Sequence, residues 1–227
     1  SYSGETTLSI LSLMLGLTVQ NFFSAASGIA VLIALIRGLT RQTTRKLGNF
    51  WADLTRTTLY ILIPLAFLLA IVLTSQGVVQ TFQSSMTART LDPAASQTTQ
   101  VLPLGPVASQ VAIKQLGTNG GGYFNVNSAH PFENPTPLSN FLEMLAILLI
   151  PAALTFTYGK MTGDTRQGWS ILTVMTLIFL LMAAVAIWSE GSGNPAFSSL
   201  ELDQSAGNME GKEVMFGSTS SAIWATA

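Results

Sequence analysis

Residues 117–131 read Gly-Thr-Asn-Gly-Gly-Gly-Tyr-Phe-Asn-Val-Asn-Ser-Ala-His-Pro, a polar and glycine-dense stretch. Three successive glycines, Gly120, Gly121 and Gly122, let backbone carbonyls turn towards a common axis without side-chain obstruction. Rings of such carbonyls can replace the hydration shell of a monovalent cation, for which potassium is the natural candidate. Pro106 to Leu116 predicts a short helix whose negative C-terminal end points into the stretch and favours a cation over an anion. Two other readings compete with this one. A phosphate cradle needs a lysine followed by Ser or Thr and a strand before the glycines, and the sequence has neither. A plain glycine turn between two helices fits the composition, and only the helix length speaks against it: about 15 Å, half a bilayer.

Four titratable side chains lie close to this stretch. Lys114 on the short helix can tune cations or, as the preferred reading, stabilise the dipole and last carbonyls. His130 and Glu133 can tune charge at an external mouth, but a solvated loop histidine and a carboxylate at a helix start account for them equally well. Glu143 lies within an apolar run, where a carboxylate is a functional candidate by default unless it snorkels to the interface. The chain has no cysteine and one histidine, which excludes disulfides, thiolate sites, cysteine nucleophiles and a multi-histidine zinc site. Ten basic and 11 acidic residues give a net charge of -1, so nucleic acid is not an expected partner.

The elements that hold these residues belong in a bilayer. Only 9% of the 227 residues are charged and mean hydropathy is +0.47, whereas soluble domains carry roughly 25% charge. Spans are predicted at 8–36, 57–76, 137–158 and 169–188, with a half-helix and glycine stretch at 106–131 and the start of a further short helix at 217–227. Gln20, Asn21, Ser24, Ser27 and Gly28 in the first span suit close helix packing. Arg37 to Arg56 carries five basic residues against Asp53, and Lys160 to Arg166 is also net basic, which places both turns inside. The loop at 78–105 and the acidic tail at 189–216 are then external. Thr136 and Pro137 are the expected N-cap and first helical residue of the third span. Pro64 should kink the second. The first residues lack a basic leader and include Glu5, so no signal peptide is expected and the chain reads as a piece of something longer. The predicted fold is an all-α membrane protein of about four transmembrane helices with re-entrant half-helix pore loops. It forms one pore domain of span/pore-loop/span type, broken at both ends.

Gly117 to Pro137, the stretch above continued by Phe-Glu-Asn-Pro-Thr-Pro, resembles the second selectivity-filter segment of the potassium-binding A subunits of Kdp potassium-transporting P-type ATPases. Gly105 to Gln110, Gly16 to Phe22, Ser24 to Gly28, Gly163 to Gly168 and Asn208 to Glu213 also look like segments of that family, so the likeness covers nearly the whole chain. It implies a channel-like subunit of the potassium transporter superfamily, built from four span, pore-loop, span units around one pathway. This chain would begin just after the first filter and end just before the third. The resemblance also implies that potassium enters from outside and passes to a separate P-type ATPase subunit, assembled with small accessory membrane subunits in a bacterial inner membrane. No phosphorylated-aspartate motif or ATP site is recognisable, so this chain is expected to be a non-catalytic part of a translocase. Carried over residue by residue, Thr118, Asn119, Gly120 and Gly121 would supply filter carbonyls to K+, with Gly120 least able to accept a side chain. Gly117 and Gly122 would support them. Two other functions remain open at this point: a passive or ion-coupled cation channel of the same superfamily, and an intramembrane enzyme using Glu143 as general acid or base.

Overall fold

The computed structural model describes residues 8–41, 43–44, 46–91, 99–124, 127–192 and 212–227. Four helices are long and apolar enough to cross a membrane: α1 (Ile10–Thr40), α2 (Phe50–Ser75), α4 (Pro137–Thr162) and α5 (Thr165–Gly191). Between α2 and α4 lie a hairpin of β1 (Ser85–Arg89) and β2 (Thr99–Pro103) and the ten-residue α3 (Val107–Leu116). The described chain ends with α6 (Lys212–Thr226), which is broken by non-helical backbone at Gly217. Of the external tail predicted at 189–216, residues 193–211 lie outside the described residues, as do Glu5 and Arg45.

All four helices run beyond their predicted spans at one end or both, because hydropathy reads the thickness of the apolar layer and not the length of the helix. The largest difference is at α2, which starts seven residues before the predicted 57. Asn49 Oδ1 accepts from the amides of Trp51 at 3.0 Å and Ala52 at 3.3 Å, and so caps a helix that hydropathy alone reads as loop. The loop at 78–105 is not wholly irregular either. Its two strands pair antiparallel from Ser85 opposite Pro103 to Arg89 opposite Thr99.

Two compact units divide the chain: Ser1–Ser27 with Thr55–Asn140, and Gly28–Leu54 with Phe141–Ala227. In the first, α3 is the centre. Its Val107, Ala108, Val111 and Ala112 form a core with Leu13, Leu73, Val78, Tyr123 and Phe124. The orphan amides of its first turn are satisfied by the preceding chain, Ala108 donating to the Val79 carbonyl at 2.9 Å and Ser109 to Gln80 Oε1 at 3.1 Å. Pro64 in α2 follows a π-helical turn at Thr58–Leu62, whose wider ring makes room for the proline and relieves its clash with the preceding carbonyls. At the start of α4, Thr136 and Ser139 cap each other reciprocally at 3.0 Å, a capping box built before Pro137 at the first helical position.

In the second unit, the basic segment after α1 is folded and not simply solvated. Arg37 forms a two-pronged ion pair with Asp53, its Nη2 donating to Oδ1 at 3.0 Å, and Arg41 donates to the Lys46 carbonyl at 2.8 Å. The turn between α4 and α5 uses Gly163 at φ 79° and Asp164 as N-cap, whose carboxylate accepts from the Arg166 amide at 3.0 Å. The two helices then meet glycine to glycine: a Cβ on Gly168 would strike the Thr155 carbonyl and lie 3.3 Å from Gly159 Cα. Such close backbone approach is how helices associate where lipid offers no hydrophobic drive. Gly168→Val should therefore destabilise the protein by about 1–3 kcal/mol, read as a lowered thermal transition in detergent. Gly191→Val, where a Cβ meets nothing within 4 Å, should leave the transition unchanged.

Candidate functional site

The short helix ends by folding its own chain back over it. Gly117, Thr118 and Asn119 donate their amides to the carbonyls of Ile113, Gln115 and Lys114 at 2.9, 3.1 and 3.0 Å. The last two bonds are the 5→2 and 6→1 pair of a Schellman motif, whose turning residue must be left-handed and is usually glycine. Here it is Thr118, at φ 55°. A β-branched residue in this region is strained by about 1–2 kcal/mol, and such strain concentrates at functional positions.

The glycines divide into two kinds. Gly117 sits against α1: a Cβ there would lie 2.9 Å from the Asn21 carbonyl. Asn119 adds to this join, with Oδ1 3.2 Å from Ser24 Oγ, so its side chain is a strut to α1. The polar residues of the first span are thus used as predicted at Asn21 and Ser24, while a Cβ on Gly28 would meet nothing within 4 Å. Gly122 is equally crowded, since a Cβ would fall onto Lys114 Nζ and lie 2.9 Å from Glu133 Oε1. Gly120 and Gly121 differ, for a Cβ on either meets nothing within 4 Å. Within this chain the steric demand therefore falls on the flanks of the run. The Gly120 carbonyl also accepts from the Asn127 amide at 3.1 Å, which commits one of its two lone pairs. Asn125 and Val126 lie outside the described residues.

Lys114 and Glu133 differ most from their expected roles. They are neither a dipole-stabilising base nor a solvated carboxylate at a helix start, but one buried pair, 1% and 0% exposed. Lys114 Nζ donates to Glu133 Oε2 at 3.0 Å and to Ser128 Oγ at 2.7 Å. Gln115 Nε2 donates to the same hydroxyl at 2.8 Å, and Glu133 Oε1 accepts from the Phe124 amide at 2.8 Å. In an apolar interior a lone charge is very costly, so the two are held together by mutual neutralisation. A sequence signal for the pair existed: opposite charges flank a glycine run in a stretch otherwise nearly free of charge.

His130 is half-buried and packs within the loop. Its ring stacks on Phe124 at 4.2 Å and 11°, and Nδ1 accepts from the Phe132 amide at 3.1 Å. Glu143 is fully buried on α4 in the second unit, so its carboxylate is covered by protein and does not snorkel outwards. Among the described residues no three His, Asp or Glu side chains gather into a metal cluster. Gln110, on α3, is fully buried with neither side-chain amide atom hydrogen-bonded, a feature with no signature in the sequence.

Four apolar helices of membrane-spanning length, a buried half-length helix and a glycine turn pinned at both flanks define a multi-pass helical membrane protein. Over residues 1–227 the chain matches the family model described as the potassium-transporting ATPase A subunit, and it belongs to that family. Its similar proteins include potassium-transporting ATPase potassium-binding subunits of Sorangium cellulosum, 61% identical over 100% of this chain, and Herpetosiphon aurantiacus, 61% over 99%. That of Methylococcus capsulatus is 58% identical over 100%. The chain spans only 41–42% of the length of these relatives.

Two stability predictions follow from the geometry. Thr118→Gly should raise stability by about 1 kcal/mol, since glycine carries no left-handed penalty. Glu133→Leu alone should cost about 3–5 kcal/mol by stranding the buried ammonium, and Lys114→Met added to it should recover most of that loss. Denaturation of wild type, Glu133→Leu, Lys114→Met and the double variant in one detergent measures the cycle; a loss in the double equal to the sum of the two single losses would mean that the pair is not coupled.

Proposed function

We propose that this chain carries one filter segment of the potassium-binding subunit of an ATP-driven potassium uptake pump. In this reading α1, α2, α4 and α5 are membrane spans of one pore domain, with the two basic turns on the inner side of a bacterial plasma membrane. The α3 helix and its loop re-enter from outside. Thr118, Asn119, Gly120 and Gly121 present oxygens to K+, Gly120 through its remaining lone pair. The ion then passes to a P-type ATPase catalytic subunit, held with small accessory subunits in the same complex, and ATP is hydrolysed there and not on this chain. The K+ ion is cargo.

The observation that carries the reading is the contrast within the glycine run. Both flanks are packed so tightly that a methyl group would clash, while Gly120 and Gly121 between them border open space. A plain turn has no need of that arrangement, whereas a carbonyl site for a desolvated cation needs rigid flanks and a clear centre. Membership of the family supports the same conclusion and favours an ATPase partner over a passive channel.

The test is Gly120→Asp in the full-length subunit assembled with its partners. Within this chain the side chain meets nothing, so the segment itself should fold normally, and a carboxylate beside the carbonyls should alter ion choice. Potassium uptake with sodium as competitor, in cells without other potassium uptake, should show discrimination reduced about tenfold or more. Unchanged uptake and discrimination at equal membrane levels would reduce residues 117–122 to a turn.

A further inference from the structure

We propose that Lys114 and Glu133 are positioning residues for the ion site, which fix the distance between the two ends of the glycine run; this rests on the filter reading given above. Lys114 controls both ends. Its backbone carbonyl accepts the Asn119 amide at 3.0 Å and so fixes the near end through the Schellman turn. Its ammonium holds Glu133 Oε2 at 3.0 Å, and the other oxygen of that carboxylate accepts the Phe124 amide at 2.8 Å, which fixes the far end. Gly120 and Gly121 lie between these anchors with open space at both. Between them the Gly120 carbonyl accepts the Asn127 amide at 3.1 Å, a further tie within the run.

Three further facts fit positioning better than stability alone. The pair occupies the volume into which a Cβ on Gly122 would project, so backbone and pair meet directly. Ser128 Oγ holds the ammonium at 2.7 Å and is itself held by Gln115 at 2.8 Å, which removes play from the lysine end. The pair is also electrically neutral: two formal charges lie behind the loop, yet they add little net field to a passing cation. A buried ion pair contributes little net stability compared with an apolar pair of similar size. What an apolar pair cannot supply is an acceptor at the Phe124 amide.

The experiment compares two uncharged double variants in the assembled complex: Lys114→Met with Glu133→Gln, which keeps an oxygen for the Phe124 amide, and Lys114→Met with Glu133→Leu, which does not. Both avoid a stranded charge. The Gln double, which keeps the acceptor but loses the ammonium that anchors it, should raise the apparent KM for potassium about threefold. The Leu double should raise that KM about tenfold and lose discrimination against sodium by a similar factor, while uptake at saturating potassium falls less than about threefold. A wild-type KM and discrimination in the Leu double would overturn the proposal, as would equal losses in both doubles. If the doubles fail to assemble, Ser128→Ala removes only one hydroxyl and should still raise the KM severalfold; no change would overturn the proposal. Gly120→Asp in the same assay separates the two ideas. If it alters discrimination while the Leu double and Ser128→Ala do not, the filter reading stands and the positioning role falls.

Discussion

A helix that stops in the interior of a protein must find partners for its last carbonyls without water, and the first unit is organised around that demand. The α3 helix stops after ten residues, its core-facing side packed among Leu13, Leu73 and Val78. The chain answers by turning back on itself at Thr118, so the amides of Gly117, Thr118 and Asn119 serve the carbonyls that the helix leaves behind. This obligation decides where the glycine run begins and which way it leaves. The strain at Thr118 is the local cost of closing a helix with a residue that a glycine would replace without penalty.

Once the near end is fixed, the other features of the loop become consequences. The tight approach of Asn21 to Gly117 brings the first span against the helix end. The return of the loop is held by stacking of His130 on Phe124 and by a carboxylate that reaches the Phe124 amide. Burial of that carboxylate requires a cation, and the cation comes from the last turn of the same helix. A single short helix thus supplies the closing turn, the counter-ion and the hydrophobic seat.

Much of this could be read from residue types. The four spans follow from runs of apolar residues longer than the bilayer needs, and Thr136 before Pro137 marks a helix start by two independent chemical preferences. The half-length helix and glycine run were visible as a hydropathy pattern that spans do not make. Other features needed three dimensions. The early start of α2 rests on the Asn49 cap and on an Arg37–Asp53 pair that spans 16 residues. The roles of Lys114 and Glu133 could not be assigned separately, because a charge near a helix end reads as a dipole or solvent effect until its partner is known to lie 19 residues away and buried. The two kinds of glycine are identical in sequence; only their neighbours distinguish them.

The π-helical turn in α2 has a consequence for what evolution or an engineer can delete. Within the first unit the buried positions of this helix are Thr57, Leu62, Ala66 and Leu73. The step from Thr57 to Leu62 is five residues, where a regular helix returns to the same face after three or four. The wide turn absorbs the surplus residue and keeps one stripe in phase on both sides of it. Removal of one residue from Thr58–Leu62 would shorten the step from Thr57 to four and leave a regular helix with the same stripe still in phase. Removal of a residue from the regular turns that follow would instead rotate everything after it by about 100°, which would carry Leu73 off the core. The segment with the least ideal hydrogen bonding is therefore the one whose length is least strictly prescribed.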